Sequence, residues 1–264
     1  MNRIERTFKS IAGRAALIPF VVAGDPDFDS SRRLIQGILE SGADMIEIGL
    51  PYSDPLADGP VIQAGAVRSL QRGFQLPDSM RLISDIREQT DKPLIAFTYV
   101  NPILQYGIRT FFEQLAASGG DGVIVPDVPL EEAPELADIA RENGISFIPL
   151  VAPTSGDDRV RQICTQASGF VYCVSSLGVT GERASVSAHV ESLVESIKRY
   201  TAVPACVGFG VSSPEHAREI SRYADGVIVG SAYVRRIEKV AEQGLEQTLA
   251  DVRTFTAELK IACM

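Results

Sequence analysis

The chain has 264 residues, 45% hydrophobic and 22% charged, with 34 acidic against 25 basic side chains and a formal net charge of −9. That is enough apolar material for a full core and too little charge for a disordered chain. The acidic balance speaks against nucleic acid or an anionic membrane as the main partner.

In chain order, the N-terminus MNRIERTFKS carries charges but no secretory h-region. Residues 1–12 read instead as an extra helix. The longest apolar stretch, near Ala15 to Ala23, is interrupted by Pro19 and falls far short of the ~20 residues that span a bilayer. Short runs rich in Val and Ile then recur at Leu17–Ala23, Met45–Leu50, Leu94–Tyr99, Gly122–Asp127, Ser146–Ala152, Phe170–Ser175, Ala205–Gly210 and Gly226–Ser231. Segments of helical spacing lie between them, such as Ser30–Ser41, Pro134–Asn143 and Pro214–Arg222, and helices are expected to stop at Gly42, Gly120 and Gly144. The tail from Leu245 reads as another flanking helix. Most spacings fit one strand–helix–strand crossover, and the apolar strands read as parallel and buried on both faces. The expected fold is α/β: a single (β/α)8 TIM barrel over residues 1–264 with extra flanking helices. A doubly wound open sheet is the alternative, but the first strand runs into AGDPDF and lacks a GxGxxG turn.

Two connections are long, from Met45 to Leu94 and from Phe170 to Ala205. They carry LPYSDPLADGPVIQAG and SSLGVTGERASVSAH, which a barrel would display on its C-terminal rim, where catalysis occurs. The second reads as a water-excluding lid, Ser176–His189.

The polar inventory of that rim limits the chemistry. No lysine stands at the C-terminal end of a strand, which disfavours Schiff-base and pyridoxal phosphate chemistry. No Gly-x-Ser-x-Gly elbow appears. His189 and His216 are the only histidines, too few for a His-rich metal site. Cys164, Cys173, Cys206 and Cys263 have no CxxC spacing and read as buried free thiols, in keeping with a reducing cytoplasm.

Three features are positive. VGFGVSSPE and GVIVGSAYV place glycines at the turns after strands 7 and 8, where barrels bind phosphate through backbone N–H groups, so Gly208, Gly210, Gly230 and Ser231 are candidate phosphate residues. In Met45–Leu50, alternation puts Ile46, Ile48 and Leu50 toward the helices and Glu47 into the barrel, beside Gly49. Burial there would raise the Glu47 pKa and suit it to acid–base work; a structural carboxyl bonded to backbone is the plainer alternative. The loop after strand 2 offers Asp54 and Asp58, and composition does not choose between them. Tyr172 serves packing or the site equally well, and Asp127 reads as the cap of the helix after strand 4.

The runs PFVVAGDPD, IEIGLPYSDPLADGPVIQ, VPDVPLEE, VYCVSSLGVTGER, VGFGVSS and VGSAYV closely resemble the tryptophan synthase alpha chain family, from about Leu17 to Val234. The resemblance implies retro-aldol cleavage of indole-3-glycerol phosphate to indole and glyceraldehyde 3-phosphate, with Glu47 and Asp58 at the family's catalytic positions. It implies an indole pocket using Phe20, Tyr99 and Tyr172, and phosphate held by Gly181 of the lid, Gly208, Phe209, Gly210, Gly230 and Ser231. Thr180 is expected to reach Asp58 on lid closure. No cofactor or metal is implied in this chain. The implied partner is a pyridoxal-phosphate-containing beta chain in an α2β2 complex, which receives indole and communicates with the loop Pro51–Pro60 and the lid. Many relatives carry Arg where this chain has Ser176. A free-standing indole-3-glycerol-phosphate lyase and a catalytically silent regulatory barrel are the rival readings.

Overall fold

All hydrogen-bonded strand pairs among the described residues are parallel. The computed structural model describes residues 1–174, 183–208 and 210–264, and of 183–188 the backbone alone. The strands are β1 (Ala16–Val22), β2 (Ile46–Gly49), β3 (Leu94–Phe97), β4 (Gly122–Ile124), β5 (Ser146–Phe147), β6 (Leu150–Val151), β7 (Val171–Val174), β8 (Ala205–Gly208) and β9 (Gly226–Val229). Their order in the sheet is β5-β4-β3-β2-β1-β9-β8-β7-β6.

The two ends of that order are consecutive in the chain, and Ile148 and Pro149 join them. The Ile148 N–H donates to Val123 O (2.9 Å) on one side, and the Tyr172 N–H donates to Pro149 O (2.9 Å) on the other. Proline has no N–H to donate, so the expected fifth strand divides at Pro149 into β5, paired with β4, and β6, paired with β7. The eight expected strand runs thus form a closed ring, the (β/α)8 barrel. Pairing is staggered around it: β1 meets β9 over Ala16–Pro19 and β2 over Phe20–Val22, so Pro19 sits where the partner changes.

The helices are α1 (Arg3–Ser10), α2 (Phe28–Glu40), α3 (Pro60–Gln71), α4 (Leu76–Arg87), α5 (Val100–Tyr106), α6 (Ile108–Ala117), α7 (Ala133–Glu142), α8 (Asp157–Gln166), α9 (Arg183–Tyr200), α10 (Pro214–Ile220), α11 (Ser231–Ile237), α12 (Val240–Gln243) and α13 (Leu245–Ala262). Gly42 and Gly144 adopt positive φ past α2 and α7, as expected of stop signals. After α6 the positive φ falls on Gly119, one residue before the expected Gly120.

Strand side chains divide by alternation into two apolar bodies. Leu17, Val21, Ile46, Ile48 and Leu50 face outward and pack against α2, α4 and α13 residues. Ile18, Phe20, Met45, Ile95, Phe97, Tyr172, Cys206 and Ile228 fill the interior. Helix α1 closes the bottom. Fully buried Ile4 enters the interior body beside Gly122 and Gly169, worth about 1.5–3 kcal/mol of apolar burial, and Phe8 meets Phe170 edge-on at 6.3 Å. Arg3 and Arg87 both pair with Asp121, at 3.1 and 2.6 Å, tying that end together. The four cysteines are free and buried. Among the described residues no helix is long and apolar enough to cross a membrane.

Candidate active site

Glu47 lies in the middle of β2, across from Phe20 of β1 and Ile95 of β3. Its neighbours Ile46 and Ile48 face the helices, so the pleat turns its carboxyl inward, as the alternation predicts. It is fully buried, and neither carboxylate oxygen has a hydrogen-bond partner among the described residues. Burial pushes its pKa well above the ordinary carboxylate range, because the charged form has lost water and gained nothing in return. A carboxyl serving only structure is ordinarily hydrogen-bonded, and no such bond is found for Glu47 among the described residues.

Gly49, two residues on, is needed for close packing. A Cβ there would stand 2.6 Å from the Phe20 ring, which meets Phe97 edge-on at 5.5 Å. Beyond β2 the chain loops out through Pro51–Pro60 and returns as α3, with Gly59 as N-cap and Pro60 in the first turn. Within this loop Asp54 is exposed and bonded to Ser53 (2.8 Å), while Asp58 is partly buried. Burial raises the Asp58 pKa to about 6, and a hydrogen bond from Tyr99 partly offsets this. The Tyr99 hydroxyl also accepts from the Ala57 N–H (3.1 Å), so this one phenol holds two consecutive loop residues. Helix α3 is tied to the end of β1 by Arg68, whose guanidinium grips Asp25 through two 2.8 Å bonds, and by Ser69, whose hydroxyl donates to Ala23 O (2.7 Å).

A cavity of about 470 Å³ opens above the barrel interior, lined among others by Phe20, Asp58, Tyr172, Gly210, Gly230 and Ser231. Most of the expected site residues that the structure describes therefore share one wall. Tyr99 lines a narrower recess with Phe20, Gly49 and Asp58. Gly208 is buried, and a Cβ there would stand 2.2 Å from the Tyr172 hydroxyl, so its missing side chain makes room for that ring. Gly210 has φ +83°, a conformation that favours glycine. Thr180, Gly181 and Phe209, with Ser175 and Ser176, lie outside the described residues.

Sequence reasoning overlooked Ile62, Phe97, Ser212, Ile228 and Arg235, which also line the cavity. Inward alternation from Ile95 would have flagged Phe97, and the helical spacing from Ser231 to Arg235 was a signal for the other. Asp127 corrects its expected role. Its carboxylate accepts from the Val100 N–H (3.0 Å) and so caps α5, which follows β3, rather than the helix after β4. A second cavity of about 750 Å³ adjoins Asp58 and Gly210 and runs over Pro126, Pro129, Pro149 and Leu150. Among the described residues no cluster of three or more His, Cys, Asp or Glu is placed to hold a metal.

These features define a (β/α)8 barrel with two perturbed carboxyls, one pushed well above its ordinary range by burial inside the barrel and a second raised to about 6 at its mouth. The family model described as tryptophan synthase alpha chain matches residues 8–264. The tryptophan synthase alpha chain of Synechococcus elongatus is 50% identical over 95% of this chain and 92% of its own. That of Thermoanaerobacter pseudethanolicus is 45% identical over 98% and 99%. A solved structure of tryptophan synthase from M. tuberculosis, in an aminoacrylate-bound form, matches with a TM-score of 0.89 at 34% identity, covering 100% of both chains. The chain belongs to the tryptophan synthase alpha chain family.

Proposed function

We propose that the chain cleaves indole-3-glycerol phosphate to indole and glyceraldehyde 3-phosphate, with Glu47 as acid and then base and Asp58 as the charge-balancing carboxylate. The observation that carries this is Glu47 itself: a fully buried carboxyl with no hydrogen-bond partner among the described residues, on the strand that feeds the Asp58 loop. Burial raises its pKa well above the ordinary carboxylate range, which favours the protonated form that a general acid needs.

The carbon–carbon bond cannot break until the indole ring accepts its electrons. Glu47 delivers a proton to indole C3, and the ring nitrogen becomes cationic. Asp58, with its pKa near 6 and largely ionised at neutral pH, holds the ring N–H and balances that charge. The Glu47 carboxylate then takes the proton of the adjacent glycerol hydroxyl as the C3–carbon bond breaks. The bonding pair returns to the ring, the hydroxyl carbon becomes the aldehyde, and Glu47 is protonated again. Positioned acid–base groups contribute about 10²–10⁴-fold each. Phe20 and Tyr172 supply apolar surface for the indole, and Gly210, Gly230 and Ser231 face the phosphate.

The chain acts as the alpha subunit of tryptophan synthase and hands indole to a beta chain in an α2β2 complex in the cytoplasm. Leu56, 90% exposed on the Asp58 loop, and Leu104, 55% exposed on α5, offer apolar surface on the rim for such a partner. The test is indole release from indole-3-glycerol phosphate by the purified chain, with and without a beta chain. Slow release that the partner strongly raises is expected. Fast release unmoved by the partner would indicate a free-standing lyase, and no release in either case would overturn the reading.

A further inference from the structure

Two arginines stand side by side on α11, and the fold uses them differently. Arg236 is committed to structure: its guanidinium lies 3.5 Å from the Phe255 ring centroid, donates to Ala232 O (2.9 Å) and faces Asp251 at 3.7 Å. Arg235 has no carboxylate partner among the described residues, and it is among the residues lining the 470 Å³ cavity. It is the one basic side chain among the described residues lining that cavity.

Helix geometry says where the Arg235 side chain goes. Residues four apart lie one above the other, and long helical side chains lean back toward the N-terminus. Arg235 is four residues after Ser231 on α11, so its stem runs back over the turn bearing Gly230 and Ser231. Ser212 from the turn after β8 shares the same wall. Gly230, Ser231 and Ser212 beside it are small and uncharged, while the molecule carries a net charge of −9 and Asp58 lines the same cavity. Backbone N–H groups at these turns would meet a phosphate with partial charge alone while the Asp58 carboxylate opposes it, so a full cation beside the turn adds attraction.

We propose that Arg235 is a specificity-determining residue of this site: its guanidinium meets the substrate's phosphate and selects phosphorylated over unphosphorylated indole compounds. The inference rests on the cleavage reading above. Arg235 is solvent-exposed, so water screens the interaction and its effect is modest.

The experiment compares wild type, Arg235→Gln and Arg235→Lys as complexes with a beta chain. It measures KM and kcat for indole-3-glycerol phosphate, and competitive inhibition by inorganic phosphate and by indole. A charge-assisted contact of this kind predicts that Arg235→Gln raises KM and the phosphate inhibition constant by about tenfold. The loss falls on KM rather than kcat, the indole inhibition constant does not move, and Arg235→Lys recovers most of the loss. The salt dependence of kcat/KM becomes shallower in Arg235→Gln. The proposal is overturned if KM and phosphate inhibition stay within twofold of wild type, or if indole inhibition weakens in parallel, which marks a merely structural role. Failure of the cleavage reading shows separately, as absence of indole release by wild type.

Discussion

Replacing Glu47 with glutamine keeps the side chain's shape and removes its titration, and the structure predicts that the substitution stabilises the protein above the ordinary carboxylate pKa. Glu47 is buried with both oxygens unpartnered, so its folded-state pKa is raised above the ordinary value of 4.5. Below that ordinary value both folded and unfolded chains carry the proton, and the two variants have similar stability. Above it the unfolded chain releases the proton while the folded chain retains it. Wild type therefore loses stability as pH rises, by about 1.4 kcal/mol per pH unit, until the raised folded pKa is reached. The glutamine variant has no such loss, and all other titrating groups are common to both. From about pH 5 up to the raised folded pKa, the stability difference should grow in favour of Glu47→Gln by up to about 1.4 kcal/mol per pH unit, which is roughly 3–6 °C in Tm for a chain of this size. Urea unfolding at half-unit pH steps reads this directly, provided the denaturant slopes agree. A difference that stays flat across the pH range, or that turns against the variant, would refute a neutral, unpartnered Glu47.

Asp58 should set the acidic limb of the pH profile. With its pKa at about 6 and its ionised form required, kcat/KM should fall tenfold per unit below about pH 6, and Asp58→Asn should lower turnover and erase that limb in a steady-state pH series. Gly208→Ala forces a methyl to within 2.2 Å of the Tyr172 hydroxyl, so it should cost about 1–3 kcal/mol in chemical unfolding and weaken indole binding by displacing the ring. Arg68→Met leaves the Asp25 carboxylate, whose side chain is fully buried, without its cation; a loss of about 3 kcal/mol is expected, with reduced turnover as α3 and the Asp58 loop loosen. Unchanged melting and turnover in that variant would remove Arg68 from the positioning of the loop.

The repeated Val- and Ile-rich runs and the Gly stop signals made the barrel legible, because strand burial and helix termination are local consequences of composition. Glu47 was legible for the same reason: alternation alone puts it inward between Ile46 and Ile48. The division at Pro149 was harder to foresee. It depends on which neighbour needs that missing N–H, a fact of pairing rather than of sequence. Asp127 is similar, since its side chain caps a helix from the preceding unit, 27 residues earlier in the chain. Composition did not separate Asp54 from Asp58; the family resemblance pointed to Asp58, and the fold brings Tyr99 of the next strand unit onto the loop and sets Asp58, not Asp54, in the cavity wall. Arg235 carried its signal in the spacing to Ser231, but its lack of an ion-pair partner among the described residues became visible only beside Arg236, Asp251 and Phe255.

The most direct test of Glu47 as the acid and base of the cleavage is the turnover of Glu47→Gln on indole-3-glycerol phosphate with a beta chain present. Loss of turnover by about 10²–10⁴-fold or more, with KM little changed and the variant folded and at least as stable as wild type at neutral pH, is the predicted result. Turnover within a few-fold of wild type would contradict it and place the proton transfers on another group.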